Sequence, residues 1–138
     1  MKREIKFRVW CNYHKDWEKH DVFITLDGRI LHDTNMADYG KDHIVEQFTG
    51  LLDKNKKEIY EGDIIECEYH GNLPSTRDLK HLTWKGIVEY GSDASFHVFR
   101  KTNLEDQAGS TYAVRVGGSA IKRYEVIGNI HENPELLK

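Results

Sequence analysis

Several large protein classes are excluded by what this sequence has little of. Its two cysteines, Cys11 and Cys67, stand far apart and make no disulfide framework, so they read as buried thiols of a cytosolic protein. Two prolines and eleven glycines among 138 residues place it outside the collagen-like and disordered classes. No apolar run exceeds a few residues, so no segment is expected to span a bilayer as a helix. The start, Met1-Lys2-Arg3-Glu4-Ile5-Lys6, lacks the apolar stretch of a secretion signal. Helical periodicity is missing as well, since no stretch holds it for more than a turn or two. Basic charge is in the minority, with 20 Lys and Arg against 23 Asp and Glu and a net charge of −3. That balance lowers the expectation of general nucleic-acid binding, which draws on clustered basic groups, without excluding a local basic patch.

What is present is a series of short alternating segments between turn signals. Ile5, Phe7 and Val9 alternate with Lys6, Arg8 and Trp10, which predicts a half-buried strand with a basic outer face. Trp17 to His20 opens a second strand or an irregular segment. Val22–Leu26 and Arg29–His32 flank Asp27-Gly28, which predicts a hairpin with the two positive-φ positions of a type I′ turn. Residues 33–42 read as a loop, with one helical turn over 35–39. Ile44 to Thr49 is extended.

The organising stretch is Gln47 to Glu68. There Asp53-Lys54-Asn55-Lys56-Lys57 is a hairpin tip between Phe48–Leu52 and Glu58–Tyr60. Glu61-Gly62-Asp63 then breaks the chain before a strand whose Ile65, Cys67 and Tyr69 face inward and whose Glu66 and Glu68 face water. Further strands are expected at 84–90, 95–100, 112–116 and 125–130, with long excursions over 70–83 and 101–111. Asn133 and Pro134 predict an N-capped helical turn at the end. The pattern is that of a mainly β protein, an antiparallel barrel or sandwich.

Three blocks carry a resemblance to a known family. They are Arg3-Glu4-Ile5-Lys6-Phe7-Arg8-Val9-Trp10, the run Phe48 to Ile64, and Glu125 to Leu137. The middle block holds an aromatic-Thr-Gly element, an Asp-Lys-Asn turn and a Tyr-Glu-Gly-Asp turn. In these the sequence resembles the YopX family of phage- and prophage-encoded proteins. It departs from the family pattern at Phe48, where tyrosine is common, at Cys11, where aspartate is common, and at Lys56, where the turn usually carries glycine. Lys56 must therefore accept an unusual backbone geometry or belong to another turn type. The resemblance implies an all-β fold with a later half similar to an SH3-like barrel, and a gene product working in the bacterial cytoplasm. It brings no reaction and no catalytic residue. If the chain divides, it does so into residues 1–48 and 49–138.

Candidate chemistry is sparse. The histidines are His14, His20, His32, His43, His70, His81, His97 and His131. With no closely spaced histidine pair and no cysteine pair, they read as surface and loop residues; His32-Asp33 with His43, and His70 with His81, are the groupings that would invite a metal. Ser92, Ser95, Ser110, Thr111 and Ser119 lack the frame of a nucleophile elbow. Glu66/Glu68 and Glu105/Asp106 read as solvated acids. Gly117-Gly118-Ser119 lacks the lysine of a phosphate loop and reads as a flexible turn. No cofactor is expected, and no catalysis.

The expected mode of action is binding, to a phage or host protein or to a second copy of the chain, with no membrane involved. The residues offered for a partner or nucleic-acid surface are Lys6, Arg8, Trp10, Lys54, Lys56 and Lys57, with Arg100-Lys101 and Lys122-Arg123 as further basic positions and Trp84 and Tyr124 as further stacking surfaces. Nucleic-acid binding in phage replication or gene control is the alternative, and a small metal-dependent hydrolase stands third.

Overall fold

Turn chemistry sets the register of this chain. A computed structural model describes residues 4–32, 36, 38, 40–68, 83–101 and 113–138. The strands are β1 (Phe7–Cys11), β2 (Asp16–Trp17), β3 (Val22–Ile24), β4 (Ile30–His32), β5 (His43–Leu52) and β6 (Glu58–Tyr60). They continue with β7 (Asp63–Glu68), β8 (Thr83–Tyr90), β9 (Phe96–Lys101), β10 (Ala113–Arg115) and β11 (Tyr124–Asn129). Short 3-10 turns cover Gly118–Arg123 and Pro134–Leu137. One sheet has the order β2-β1-β5-β6, a second, curling into a half-barrel, has β10-β9-β8-β7-β11, and β3 and β4 form a separate ribbon. All described pairings are antiparallel, as the mainly β reading requires.

Three hairpins share one turn. In Thr25–Arg29, Asp53–Lys57 and Gly91–Ser95 the first amide donates to the fifth carbonyl and the fourth amide donates to the first carbonyl. The fourth residue is left-handed in each: Gly28 at φ 82°, Lys56 at 67° and Ala94 at 59°. This is a type I turn closed by a bulge, which needs one positive φ where a type I′ turn needs two. The Asp27-Gly28 expectation is corrected accordingly, because only Gly28 is left-handed. Thr25 holds the wider loop, its hydroxyl donating to the Asp27 carboxylate and accepting the Arg29 amide. Lys56 takes the strained geometry that its place in the turn demands.

β5 joins the two sheets. It pairs with β1 through His43–Gln47 and then with β6, with a register shift between Phe48 and Leu52. Gly50 sits in that shift at φ 85°, and Thr49 Oγ1 donates to the Ile59 carbonyl over 2.8 Å. The aromatic-Thr-Gly element is thus a bulge that redirects the strand. Residue 48 falls inside this one strand. Beyond it the buried Asp53 fastens the hairpin to β11: its carboxylate accepts the amides of Asn55, Lys57 and Val126 at 2.8, 2.9 and 3.0 Å.

The core is built mainly on the second sheet and comprises Ile65, Cys67, Val88, Phe96, Val98, Val116, Tyr124 and Val126 with Ile59 from β6, and Leu51, Trp84 and Ile121 pack against it. The inward placing of Ile65 and Cys67 agrees with the alternation of β7, and both cysteines are free and buried. Two stacking surfaces offered by the sequence are core instead: Tyr124 is fully buried and Trp84 half-buried. Their rings meet edge to face at 6.1 Å.

The first part of β1 departs from expectation, although Val9 is buried as expected. Ile5 and Phe7 are 64% and 47% exposed, whereas Trp10 is 3% exposed and Arg8 is half-buried. The reason is the partners that the inner side offers, described below. At the end of the chain Asn133 precedes the 3-10 turn but makes no side-chain cap. Its Oδ1 accepts the Asn129 amide instead, at 3.4 Å. Of the helical turn expected at 35–39 only Met36 and Asp38 are described, and neither is helical, since Met36 is left-handed at φ 54° and Asp38 forms a β-bridge with Leu31. Nearly all of the two long excursions lie outside the described residues, while Thr83 and Lys101 belong to strands.

Candidate functional site

Two clusters of polar side chains stand on opposite ends of β1. The first is a buried ionic junction. Arg8 Nη2 lies 2.7 Å from Glu46 Oε2 on β5 and 2.6 Å from Asp63 Oδ1 at the start of β7. Its guanidinium is sandwiched between the rings of Trp17 and Tyr60, 4.3 and 4.6 Å from their centroids. His131 Nε2 approaches Glu46 Oε1 at 2.9 Å, and Asn129 donates to Glu46 Oε2 at 3.2 Å. Trp10 stacks on the His131 ring at 5.0 Å.

Burial pushes the Glu46 and Asp63 carboxyls above their usual range, opposed in both by the Arg8 charge. Gly62 makes the close approach feasible: at φ 75° a Cβ there would lie 2.0 Å from Glu46 Oε1. The Tyr-Glu-Gly-Asp turn is therefore a device for passing backbone beside a buried carboxylate. Such a junction fastens the first sheet to the second, and every charge in it has a partner.

The basic residues offered for a surface are largely occupied. Lys6 lies 3.1 Å from Glu4 and 2.5 Å from Glu58, and these hydrogen bonds hold its ammonium well above its usual value. Lys54 pairs with Glu125. Lys56 and Lys57 stand exposed at the hairpin tip, apart from Arg8 and Trp10, which are engaged in the junction. The structure does not bring the six together as one face.

The second cluster lines a cavity of about 620 Å³. Four of the eight histidines, His14, His20, His32 and His43, meet there with Cys11 and Glu18. Cys11 ends β1 and His43 begins β5, directly across from it in register. A turn with Lys15 at φ 54° folds His14 back, so that its Nδ1 stands 3.3 Å from Cys11 Sγ. Glu18 follows β2 and reaches His43 Nε2 at 3.2 Å and His32 Nε2 at 4.0 Å. Burial would raise the Glu18 carboxyl, but bonds from His43 and the His20 amide and the nearby imidazoles hold it below its usual value. A sulfur, a carboxylate oxygen and an imidazole nitrogen from Cys11, Glu18 and His43 lie within 4.8 Å of one another.

The sequence grouping of His32, Asp33 and His43 is met in part, since His32 and His43 converge and Asp33 lies outside the described residues, as do His70 and His81. Convergence itself was not legible, because the cavity gathers β1, β4, β5 and the segment after β2. The one local signal was Cys11 and His14 with two residues between them.

Elsewhere, Ser95, His97 and Asp93 come within hydrogen-bonding reach but not as a catalytic triad. Ser95 Oγ and Asp93 Oδ1 both meet the same ring nitrogen, His97 Nε2, at 2.9 and 2.8 Å. A triad needs the acid on the other nitrogen.

These observations define a mainly antiparallel β protein whose sheets are fastened by a buried ion-pair junction, with a polar cavity at the far end of its first strand. The chain belongs to the YopX protein family, which it matches over residues 6–138. A solved structure similar to it is described as the crystal structure of protein EF1440 from Enterococcus faecalis. That structure is 25% identical, with a TM-score of 0.61, and the match covers 99% of this chain and 100% of the other. No curated protein matches the chain. Among the described residues, no helix is long and apolar enough to cross a membrane.

Proposed function

We propose that the protein is a non-catalytic accessory protein of a phage or prophage, acting by binding in the bacterial cytoplasm. Its partner is a phage or host protein or a second copy of the chain. The family membership supports the phage setting, and the curled sheet is read as a variant of the SH3-like barrel. The observation that carries the binding reading is the β3–β4 ribbon, whose Phe23, Ile24 and Leu26 are 51%, 40% and 111% exposed. Among the described residues the ribbon pairs with neither larger sheet, and apart from one bridge between Leu31 and Asp38 on the β4 side its edges carry no further ladder. Strand edges with free backbone groups and adjacent apolar side chains are a common means of capturing an extended segment.

A pull-down from infected cells, with and without nuclease, tests this together with sedimentation of the purified protein. A protein partner, or a dimer, that survives nuclease and is lost in Phe23→Asp/Leu26→Asp is the expected result. Binding only to an oligonucleotide, with affinity falling steeply between about 50 and 200 mM salt, overturns it in favour of phosphate recognition.

A further inference from the structure

We propose that Cys11, His14, Glu18 and His43 bind one divalent transition-metal ion of the zinc type. The site is independent of the binding reading above.

The donor set is the first argument. One thiolate, one carboxylate and two neutral imidazoles carry a charge of about −2 and neutralise a divalent ion, and the soft sulfur with imidazole favours zinc-like metals over magnesium or calcium. Spacing is the second. Metal bonds of about 2.3 Å to sulfur and about 2.1 Å to nitrogen or oxygen give tetrahedral edges of roughly 3.6 Å for S···N and roughly 3.4 Å for N···O. Two such edges already exist, Cys11 Sγ to His14 Nδ1 at 3.3 Å and Glu18 Oε2 to His43 Nε2 at 3.2 Å. Across the Cys11, Glu18 and His43 atoms the ceiling of 4.8 Å leaves a short closure by side-chain rotation, and His14, which is not within that group, must swing in from its exposed turn beside the sulfur.

The surroundings are those of a ligand site as well. The His14 amide points at Cys11 Sγ over 3.4 Å and so fixes where the sulfur sits. The other Glu18 oxygen faces His32 Nε2 at 4.0 Å, an outer partner able to orient the carboxylate. Glu18 and His43 side chains are only 10% and 6% exposed, while His14 lies at the open side, so the cavity gives an ion a way in. An ion there would tie β1, the turn after it, the segment after β2 and β5, and through His32 would abut the ribbon.

The test uses the untagged full chain, reduced and stripped with chelator, then titrated with cobalt(II) and back-titrated with zinc. One cobalt per chain is expected, with a thiolate-to-cobalt charge-transfer band and the intense visible bands of four-coordinate cobalt, all removed by zinc. Cys11→Ser should abolish the charge-transfer band and Cys67→Ser should keep it, while His43→Ala and Glu18→Gln should weaken binding by about 100-fold or more. Absence of the band in the native chain, its persistence in Cys11→Ser, or its loss in Cys67→Ser overturns the proposal. If Cys11→Ser or His43→Ala fails to fold by circular dichroism, His14→Ala in the exposed turn decides: binding weakened by about tenfold or more supports the four-ligand site, and unchanged affinity overturns it.

Discussion

Gly62 and Gly50 offer a controlled comparison, because both are left-handed, at φ 75° and 85°, and only one is crowded. Replacing either by alanine forces a Cβ into left-handed backbone, a cost of about 1–2 kcal/mol. At Gly50 nothing lies within 4 Å of the new atom, so the cost ends there. At Gly62 the Cβ would stand 2.0 Å from Glu46 Oε1 and 2.8 Å from Glu46 Cδ, closer than contact permits. Glu46 must move, and with it go the bonds to Arg8, His131 and Asn129. Breaking a buried ion pair by displacing one partner costs about 3–5 kcal/mol.

Gly62→Ala should therefore exceed Gly50→Ala by about 3 kcal/mol or more, a large share of the roughly 5–15 kcal/mol that holds a domain folded. Urea unfolding followed by circular dichroism measures the two midpoints, with an unchanged slope confirming that stability alone has moved. Equal losses in the two variants would refute the claim that the junction, and not the backbone conformation, requires glycine at 62. A further check is coupling: with Arg8 already replaced, Gly62→Ala should cost less than it does alone.

Arg8→Met should destabilise by about 3–5 kcal/mol by leaving Glu46 and Asp63 buried without their cation, while Lys6→Met leaves the midpoint unchanged; thermal and urea melts of the two variants check this. Lys56→Gly should stabilise by about 1 kcal/mol, because Lys56 is left-handed at φ 67° and glycine removes the Cβ penalty, again read from the urea midpoint. The pH dependence has a defined sign. Glu46 is raised by burial above its ordinary 4.5, so its favourable contribution is fully present below that value and is lost as the pH rises through the folded pKa. Unfolding free energy measured from pH 4 to 7 should thus show wild type losing ground to Glu46→Gln as the pH rises from about 4.5. A difference that moves the other way would mean that Arg8 outweighs burial.

Much of the fold was legible because strand period and turn chemistry act locally. The strand after Glu61-Gly62-Asp63, the Asp53–Lys57 tip and the β3–β4 hairpin all follow from residues adjacent in the chain. The Asp27-Gly28 turn type was not, because Thr25 and Arg29 widen the loop through side-chain bonds outside the dipeptide. The start of β1, where Ile5 and Phe7 are exposed while Val9 is buried, misled for a similar reason. Alternation in Ile5–Trp10 says that two faces differ, and the usual assignment puts the apolar one inside. Here two acids, one on β5 and one on β7, lie under the polar face and draw Arg8 inward, and only pairing distant in sequence places them there.

By itself, then, the sequence determined that the chain is β-rich, antiparallel, turn-punctuated and a member of its family, since those properties reside in neighbours along the backbone. Tertiary structure alone decided that Arg8 is a half-buried linchpin paired with two buried acids, and that Cys11, His14, Glu18 and His43 share a cavity. The physical reason is common to both: electrostatic and ligating power depends on distances across space, and strand pairing sets those distances between residues that the sequence keeps apart.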